Sequence, residues 1–293
     1  MVQITAAMVK ELRERTGAGM LDCKKALEAT NGDIDKAIDY LRERGIAQAA
    51  KKSGRVAAEG LANFVVKDNV AVVYELNSET DFVAKNKEFL TLLDNVGNII
   101  LESGATNTEE ALVAKTNEGT LNDLLTTATS KIGEKITLRR VSRYTKETNQ
   151  GFGTYAHMGG RIVALAVLKE ANEEVGKDIA MHIAASNPKF LNRTQVDQDT
   201  LNHEKEVLTN QALQEGKPAH IVEKMVVGRL NKFLEDICLV DQPFVKDADI
   251  KVNQYLKNNN NEVLSFVRLE VGEGIEKKEE DFAAEVAAVT KGL

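Results

Sequence analysis

The sequence predicts an α+β chain in which a purely helical N-terminal unit precedes a duplicated core. Three observations carry this. Roughly the first fifty residues read as helix alone. A succession of strand, turn, strand, helix and strand occurs twice, opening at Gly60-Leu61-Ala62-Asn63-Phe64 and again at Gly151-Phe152-Gly153-Thr154-Tyr155. A pair of long helical stretches interrupts the second copy. A two-unit repeat of this kind makes two subdomains rather than a solenoid, with three antiparallel strands per half and helices on one face of each sheet.

The N-terminal unit reads as three helices. Thr5 is a natural N-cap, with Ile4 and Val9 placed for a hydrophobic staple across it. The first helix runs to about Thr16, where Gly17-Ala18-Gly19 breaks it. The second covers Met20 to Thr30 and ends at Asn31-Gly32, a pair suited to a left-handed cap. Asp33 caps the third, whose stripe is Ile34, Ala37, Ile38 and Leu41, and Gly45 is expected to end it. A unit this small has a marginal core. Met20, beside a Gly-rich turn, is a candidate contact residue as well as a candidate core residue. Residues 46 to 60 read as a linker, and its basic cluster Lys51-Lys52-Ser53-Gly54-Arg55 reads as solvated.

In the first half of the core, Leu61 to Val66 and Val70 to Leu76 flank Lys67-Asp68-Asn69 as a hairpin. A long helix is expected from Asp81, a weaker helical region over Thr108 to Lys131, and a strand over Ile136 to Arg143. In the second half, Gly151 to His157 and Arg161 to Leu168 flank Met158-Gly159-Gly160, a helix covers Glu173 to Ala185, and Val263 to Val271 supplies the matching third strand. The insertion is a helical hairpin, Val196 to Gln214 and Ala219 to Ile237, each arm about 27–30 Å long at 1.5 Å per residue. Its seam is narrow: Leu201, Leu208 and Ala212 on one arm, and Val222, Met225, Val226, Leu230, Phe233 and Ile237 on the other. Such a pair either projects as an antiparallel coiled coil or packs on a partner. A short helix is expected over Glu279 to Val286.

Composition narrows the function. A chain of 293 residues can form one large domain or two to four small ones, and 43% apolar with 28% charged residues fits a soluble globular protein. No run approaches the ~20 apolar residues of a membrane span, and Met1-Val2-Gln3-Ile4-Thr5 has no charged start followed by an apolar run, so no secretory signal is expected. A net charge of −7 argues against the whole surface gripping a polyanion and leaves room only for a local basic patch. Cys23 and Cys238 match no metal or redox spacing, and reduced thiols in the cytoplasm are the expectation. The four histidines, His157, His182, His203 and His220, show no metal-ligand spacing. No phosphate loop or dinucleotide fingerprint is present. Cys23 as a nucleophile would lack any oxyanion feature nearby. What is left is a modular acidic scaffold without a catalytic constellation.

The stretch Asn77-Ser78-Glu79-Thr80-Asp81-Phe82-Val83-Ala84-Lys85 stands apart. Ser78 and Thr80 are both N-cap types, and Asp81 in the first helical turn meets the positive end of the helix dipole. Phe82, Phe89, Val96 and Ile100 share one face at helical spacing, so periodicity favours Phe82 as a core residue. The alternative is an exposed acid and aromatic pair aimed at a partner.

Five segments in order resemble one family. They are Val9-Lys10-Glu11-Leu12-Arg13-Glu14-Arg15-Thr16-Gly17-Ala18-Gly19-Met20 with Asp22-Cys23-Lys24-Lys25-Ala26-Leu27, Thr80-Asp81-Phe82-Val83-Ala84-Lys85, His182-Ile183-Ala184-Ala185-Ser186, Gln242-Pro243-Phe244-Val245, and Val271-Gly272-Glu273-Gly274-Ile275-Glu276. Over essentially its full length the chain resembles the bacterial translation elongation factor Ts family. The resemblance implies a guanine nucleotide exchange factor for elongation factor Tu, with no cofactor of its own, since GDP, GTP and magnesium belong to the partner. It implies no direct nucleic-acid or membrane partner.

It also implies a ubiquitin-associated-like unit at 1–53, core subdomains at 54–144 and at 145–195 with 239–274, an inserted coiled-coil hairpin at 196–238, and a C-terminal helical module at 275–293. The hairpin would serve a homodimer, a two-to-two complex or a second partner contact. By resemblance, Thr80, Asp81, Phe82 and Val83 insert near the partner's magnesium site, and this reverses the periodicity argument for Phe82. Met20, Lys24 and His157 become further contacts. The rival classes are a ubiquitin-associated-like adaptor that self-associates through the hairpin, and a hydrolase using Cys23.

Overall fold

The computed structural model describes residues 3–16, 18–117, 119–216 and 218–276. The helix expected over 279–286 lies outside them, as do Gly17 and Lys217. Helices α1 (Ala6–Thr16), α2 (Met20–Ala29) and α3 (Ile34–Lys52) form the N-terminal unit. They close on a small core of Val9, Leu12, Cys23, Ala26, Leu27 and Ala37, against which Ile4 packs. Asn31 and Gly32 take the left-handed conformation at the α2–α3 turn, with φ of 52° and 82°. The Asp33 side chain accepts from the Lys36 amide at 3.0 Å.

Gly45 does not end α3, which continues to Lys52 through much of the expected linker. The reason is tertiary. Gly45 is buried against the first core subdomain, where a Cβ would come within 3.2 Å of Ser130 Oγ. The missing side chain lets two helices approach, and the Ser130 hydroxyl donates to Gln48 Oε1 at 3.4 Å beside it.

Strands β1 (Glu59–Lys67) and β2 (Val70–Ser78) form the expected hairpin. Then come α4 (Asp81–Ala84), α5 (Lys87–Ser103), α6 (Thr108–Leu112), a two-residue ribbon β3 (Lys115–Thr116) and β4 (Gly119–Thr120), α7 (Leu121–Ile132) and β5 (Thr137–Thr145). Two expectations are corrected here. The helix from Asp81 is broken after Ala84, because Asn86 starts a new one by accepting from the Glu88 amide at 2.9 Å. The region Thr108 to Lys131 is not one helix. Asn107 caps α6, and a capping box of Thr120 and Asp123 starts α7 after the intervening ribbon.

The second half repeats the plan with β6 (Gly151–His157), β7 (Ile162–Leu168) and α8 (Glu173–Ser186). The helical hairpin follows as α9 (Gln198–Gln214) and α10 (Ala219–Ile237), and after it a ribbon of β8 (Pro243–Phe244) and β9 (Asp247–Lys251), then α11 (Val252–Asn258) and β10 (Val263–Glu270). The ribbon and α11 have no counterpart in the sequence reading. The seam of the hairpin is buried at Leu208, Ala212, Val222 and Val226.

Both sheets are antiparallel, ordered β1-β2-β5 and β6-β7-β10. The two hairpins and the two closing strands therefore correspond. Each central strand is buried on both faces, and the alternation of its side chains sorts them between two cores. Val72, Tyr74 and Leu76 face α5 and α7, with Phe89, Val96, Ile100, Leu121 and Leu125. Ala164, Ala166 and Leu168 face α8 and α11, with Ile179, Ile183 and Leu256. The alternate residues Ala71 and Val73 meet Val163, Leu165 and Val167 between the sheets, with Ala62 and Leu269. The sheets thus lie back to back with helices outside.

Two local devices hold the second half. Gly153 of β6 lies on Gly176 of α8, where a Cβ on Gly153 would fall 2.1 Å from the Gly176 carbonyl oxygen. Buried His182 joins α8 to the segment after α10: the Val245 amide donates to Nδ1 at 3.1 Å, so the proton sits on Nε2, which meets Gln242 Oε1 at 2.9 Å. Burial lowers the His182 pKa from its usual value.

Overpacking of this kind costs about 1–3 kcal/mol. Gly153→Ala should therefore lose about that much in chemical denaturation, while Gly54→Ala, which has open space around it, should lose nothing measurable. For His182 the folded pKa lies below the unfolded value of about 6.5. Its contribution is complete above that pH and is lost as pH falls. Melting temperature should drop more steeply between about pH 7 and pH 5.5 in the wild type than in His182→Gln.

Candidate functional site

The corner between β2 and α4 is built from its backbone outward. Thr80 is extended at φ −124° and ψ 156°, and its hydroxyl oxygen accepts from the Val83 amide at 3.4 Å. Ser78 ends the strand, and its hydroxyl donates to the Thr80 carbonyl at 2.9 Å. Of the two N-cap candidates, Thr80 is the cap. Helix α4 then makes one turn and stops.

That stop decides where Phe82 points. In an unbroken helix, residues seven apart lie nearly on one line, so Phe82 would follow Phe89 into the core. The break at Lys85-Asn86 removes the phase relation. Ala84 and Val83 turn inward to pack on the first core, and Phe82 is left 81% exposed. Phe89, Val96 and Ile100 are fully buried. The core assignment that periodicity favoured for Phe82 is therefore wrong.

Asp81 beside it is paired with Lys85 at 2.6 Å. That ammonium holds the Asp81 carboxyl below the usual carboxylate range, so it is ionised at neutral pH.

A clasp from a distant turn braces the corner. Gly133 closes α7 in the left-handed conformation, at φ 91°, and sends Glu134 and Lys135 across to it. Glu134 Oε2 accepts from the amides of Glu79 at 3.1 Å and Thr80 at 2.9 Å, and Oε1 accepts from the Thr80 hydroxyl at 2.6 Å. Glu79 reciprocates, accepting from the Lys135 amide at 2.6 Å and facing Arg55 at 3.3 Å. Lys135 Nζ donates to the carbonyls of Ser53 and Arg55 at 2.7 and 3.0 Å, tying down the segment that leaves α3. Sequence reasoning missed Glu134 and Lys135, and gave Glu79, inside the stretch it singled out, no role. Their pairing spans some 55 residues and leaves no local signal.

His157 ends β6, exposed, its ring stacked with Tyr155 at 6.1 Å between centroids. The next three residues, Met158, Gly159 and Gly160, all have positive φ. Gly160 lies on the Ala62 carbonyl, where a Cβ would come within 2.7 Å. Met158, in the expected turn, is 71% exposed and makes a second apolar projection.

The structure brings the corner and this turn to one end of the frame. Arg161 is ion-paired with Glu59, and Glu59 is the strand partner of Ser78, two residues before Thr80. Met20 and Lys24 form a separate patch. They open α2, which packs on α1 and α3, with Met20 50% exposed and Lys24 paired with Glu28 at 3.8 Å. Met20 is therefore not a core residue.

Cys23 is fully buried, and burial pushes its thiol up, so no thiolate is offered there. Among the described residues no group of His, Cys, Asp and Glu could hold a metal ion, and no helix is long and apolar enough to cross a membrane.

Fold and site define a multi-lobed α+β protein whose distinguishing surface is a braced acid and aromatic corner. Residues 79–273 match the protein family described as "Elongation factor TS". The chain is 59% identical to "Elongation factor Ts" of Acholeplasma laidlawii (strain PG-8A) over 290 residues, covering 97% of this chain and 98% of that protein. It is 55% identical to "Elongation factor Ts" of Limosilactobacillus reuteri (strain DSM 20016), with 98% of each chain covered. A third relative of that name, from Limosilactobacillus fermentum (strain NBRC 3956 / LMG 18251), is 54% identical over 286 residues. The chain belongs to the elongation factor Ts family, the translation elongation factors of that name.

An exposed ring contributes little to folding. Phe82→Ala should leave the free energy of unfolding within about 0.5 kcal/mol of wild type in urea denaturation. A loss of about 3 kcal/mol or more would return the ring to the core.

Proposed function

We propose that this chain is a guanine nucleotide exchange factor for elongation factor Tu, and that it acts through the Thr80–Val83 corner. The observation that carries this reading is the 81% exposure of Phe82 on a corner fixed by hydrogen bonds on both sides. A single exposed apolar side chain needs no explanation, but here the backbone that carries the ring is fixed by hydrogen bonds from a distant turn, so the ring is presented in one direction.

The partner holds GDP through a magnesium ion and a phosphate loop. Magnesium demands near-octahedral geometry, so a small displacement of its shell weakens the whole site. Phe82 wedges between partner helices beside that site. Val83 and Thr80 set its direction from below. Asp81 disturbs the water and hydrogen-bond shell of the ion, exchanging its Lys85 contact for groups on the partner. His157 and the turn after it press on the phosphate-binding side, and Met20 and Lys24 hold the nucleotide domain from the N-terminal unit, which is ubiquitin-associated-like. The helical hairpin, as a coiled coil, supports a homodimer or a two-to-two complex. The setting is the cytoplasm. GDP, GTP and magnesium remain the partner's, and no covalent bond is made or broken by this chain.

Magnitudes require the contacts to share the task. Burying one Phe ring gives about 1.5–3 kcal/mol. A thousandfold acceleration of release needs about 4 kcal/mol of differential binding, at about 1.4 kcal/mol per tenfold. Phe82 supplies part of that, and the second corner and the N-terminal unit supply the rest.

Release of fluorescent GDP from elongation factor Tu should accelerate when the chain is added. Phe82→Ala should slow that release by about tenfold, a change of about 1.4 kcal/mol. Release by the variant at the wild-type rate under saturating conditions would remove Phe82 from the mechanism.

A further inference from the structure

We propose that Glu134 is a positioning residue for exchange: its carboxylate holds the Thr80–Val83 corner in the conformation that engages the partner. The proposal deepens the exchange-factor reading and rests on it. Helix α4 has four residues. One isolated turn has almost no stability of its own, because nucleation fixes several dihedrals for a single hydrogen bond. The amides that lead into it need acceptors from elsewhere.

Glu134 supplies them from 54 residues away: one oxygen takes the Glu79 and Thr80 amides, the other the Thr80 hydroxyl. Bonds to a charged acceptor are about twice as strong as neutral ones. Glu134 is held in turn by the left-handed Gly133 before it and by the Lys135 amide, which donates to Glu79 Oε1 after it. Loop and turn therefore fix each other through two carboxylates in opposite directions.

A role in general stability does not account for the arrangement. Glu134 is half-buried, belongs to none of the apolar cores, and directs all three of its accepted bonds at the two residues preceding Asp81 and Phe82. With the clasp gone, α4 frays and the ring samples many directions. The chain still docks through its other surfaces, but only a fraction of docked complexes has Phe82 in place.

The test compares wild type, Glu134→Ala and Glu134→Gln in full-length chain. Maximal GDP release from elongation factor Tu at saturating concentration should fall about tenfold for Glu134→Ala, with half-saturation within about threefold of wild type. Partial unfolding would do the opposite, raising half-saturation and sparing the maximum. Glu134→Gln should stay within about threefold of wild type. Its carbonyl can take both amides, and its NH2 can donate to the Thr80 hydroxyl oxygen.

Amide hydrogen exchange without the partner should show Glu79 and Thr80 losing protection in Glu134→Ala and keeping it in Glu134→Gln. Should the alanine variant unfold, Glu134→Asp, one methylene too short to span both contacts, carries the same expectation. Unchanged amide protection, or an unchanged maximal rate despite lost protection, overturns the proposal. If the wild-type chain leaves GDP release unaltered, the exchange-factor reading falls, and the amide comparison still decides whether Glu134 orders the corner.

Discussion

The contact between the two sheets is the constraint from which the rest of this molecule follows. It is made mainly from small and β-branched side chains, Ala62, Ala71 and Val73 on one sheet against Val163 and Val167 on the other, with Leu165 between them. Small residues let the sheets approach, and β-branched residues fill a pleated surface well. At one edge the contact carries charge. Glu75, fully buried, receives Arg139 at 3.0 Å, Arg140 at 2.5 Å and the Gly272 amide at 2.9 Å. The same two arginines donate to the carbonyls of Glu273 and Glu270, which draws the end of the last strand onto the first sheet. Removing one partner from such a cluster leaves an uncompensated buried charge, which costs several kcal/mol. The cluster thus ties the end of the last strand to the first sheet at fixed positions.

Because the sheets are locked, what emerges from their ends is locked too. Ser78 closes one hairpin beside Glu59, and Arg161 opens the second strand of the other beside the same Glu59. Two exposed apolar side chains, Phe82 and Met158, are carried at that end on backbone that has little freedom. An apolar probe on a loose loop would lose much of its binding energy to ordering, since fixing each backbone residue costs about 1–2 kcal/mol. Here that ordering is already done, by a cap and a clasp at the first corner and by three left-handed residues at the second. The N-terminal unit joins the same system. Its last helix packs through Gly45 on α7, and the turn that ends α7 grips both the segment leaving the unit and the corner.

Much of this was legible in the residues. Alternation and turn chemistry located both hairpins, their closing strands and the helical insertion, because those signals are local. What failed was non-local or depended on phase. Gly45 looks like a helix end until its role as a contact point with Ser130 is visible. Phe82 falls in line with Phe89 only if the helix is continuous. Lys85-Asn86-Lys87, with an N-cap residue at its centre, was the available sign that it is not. The short ribbon of β3 and β4 hid between two capped helices. The clasp residues Glu79, Glu134 and Lys135 are ordinary surface types in the sequence, and only folding brings them together. The corner itself was singled out by residue type, and the family resemblance, not periodicity, turned Phe82 outward.

The proposed exchange activity requires a thermodynamic asymmetry: a chain that speeds release must bind its partner more tightly when the partner is empty. Linkage makes that preference reciprocal, so the factor by which GDP weakens binding of this chain equals the factor by which this chain weakens binding of GDP. The most direct measurement is the affinity of the chain for elongation factor Tu by titration calorimetry, once nucleotide-free and once saturated with GDP and magnesium. Binding should be tighter to the empty form by about tenfold or more, equivalent to about 1.4 kcal/mol or more. Equal affinity for the two forms would contradict the proposed exchange activity, however tight the binding.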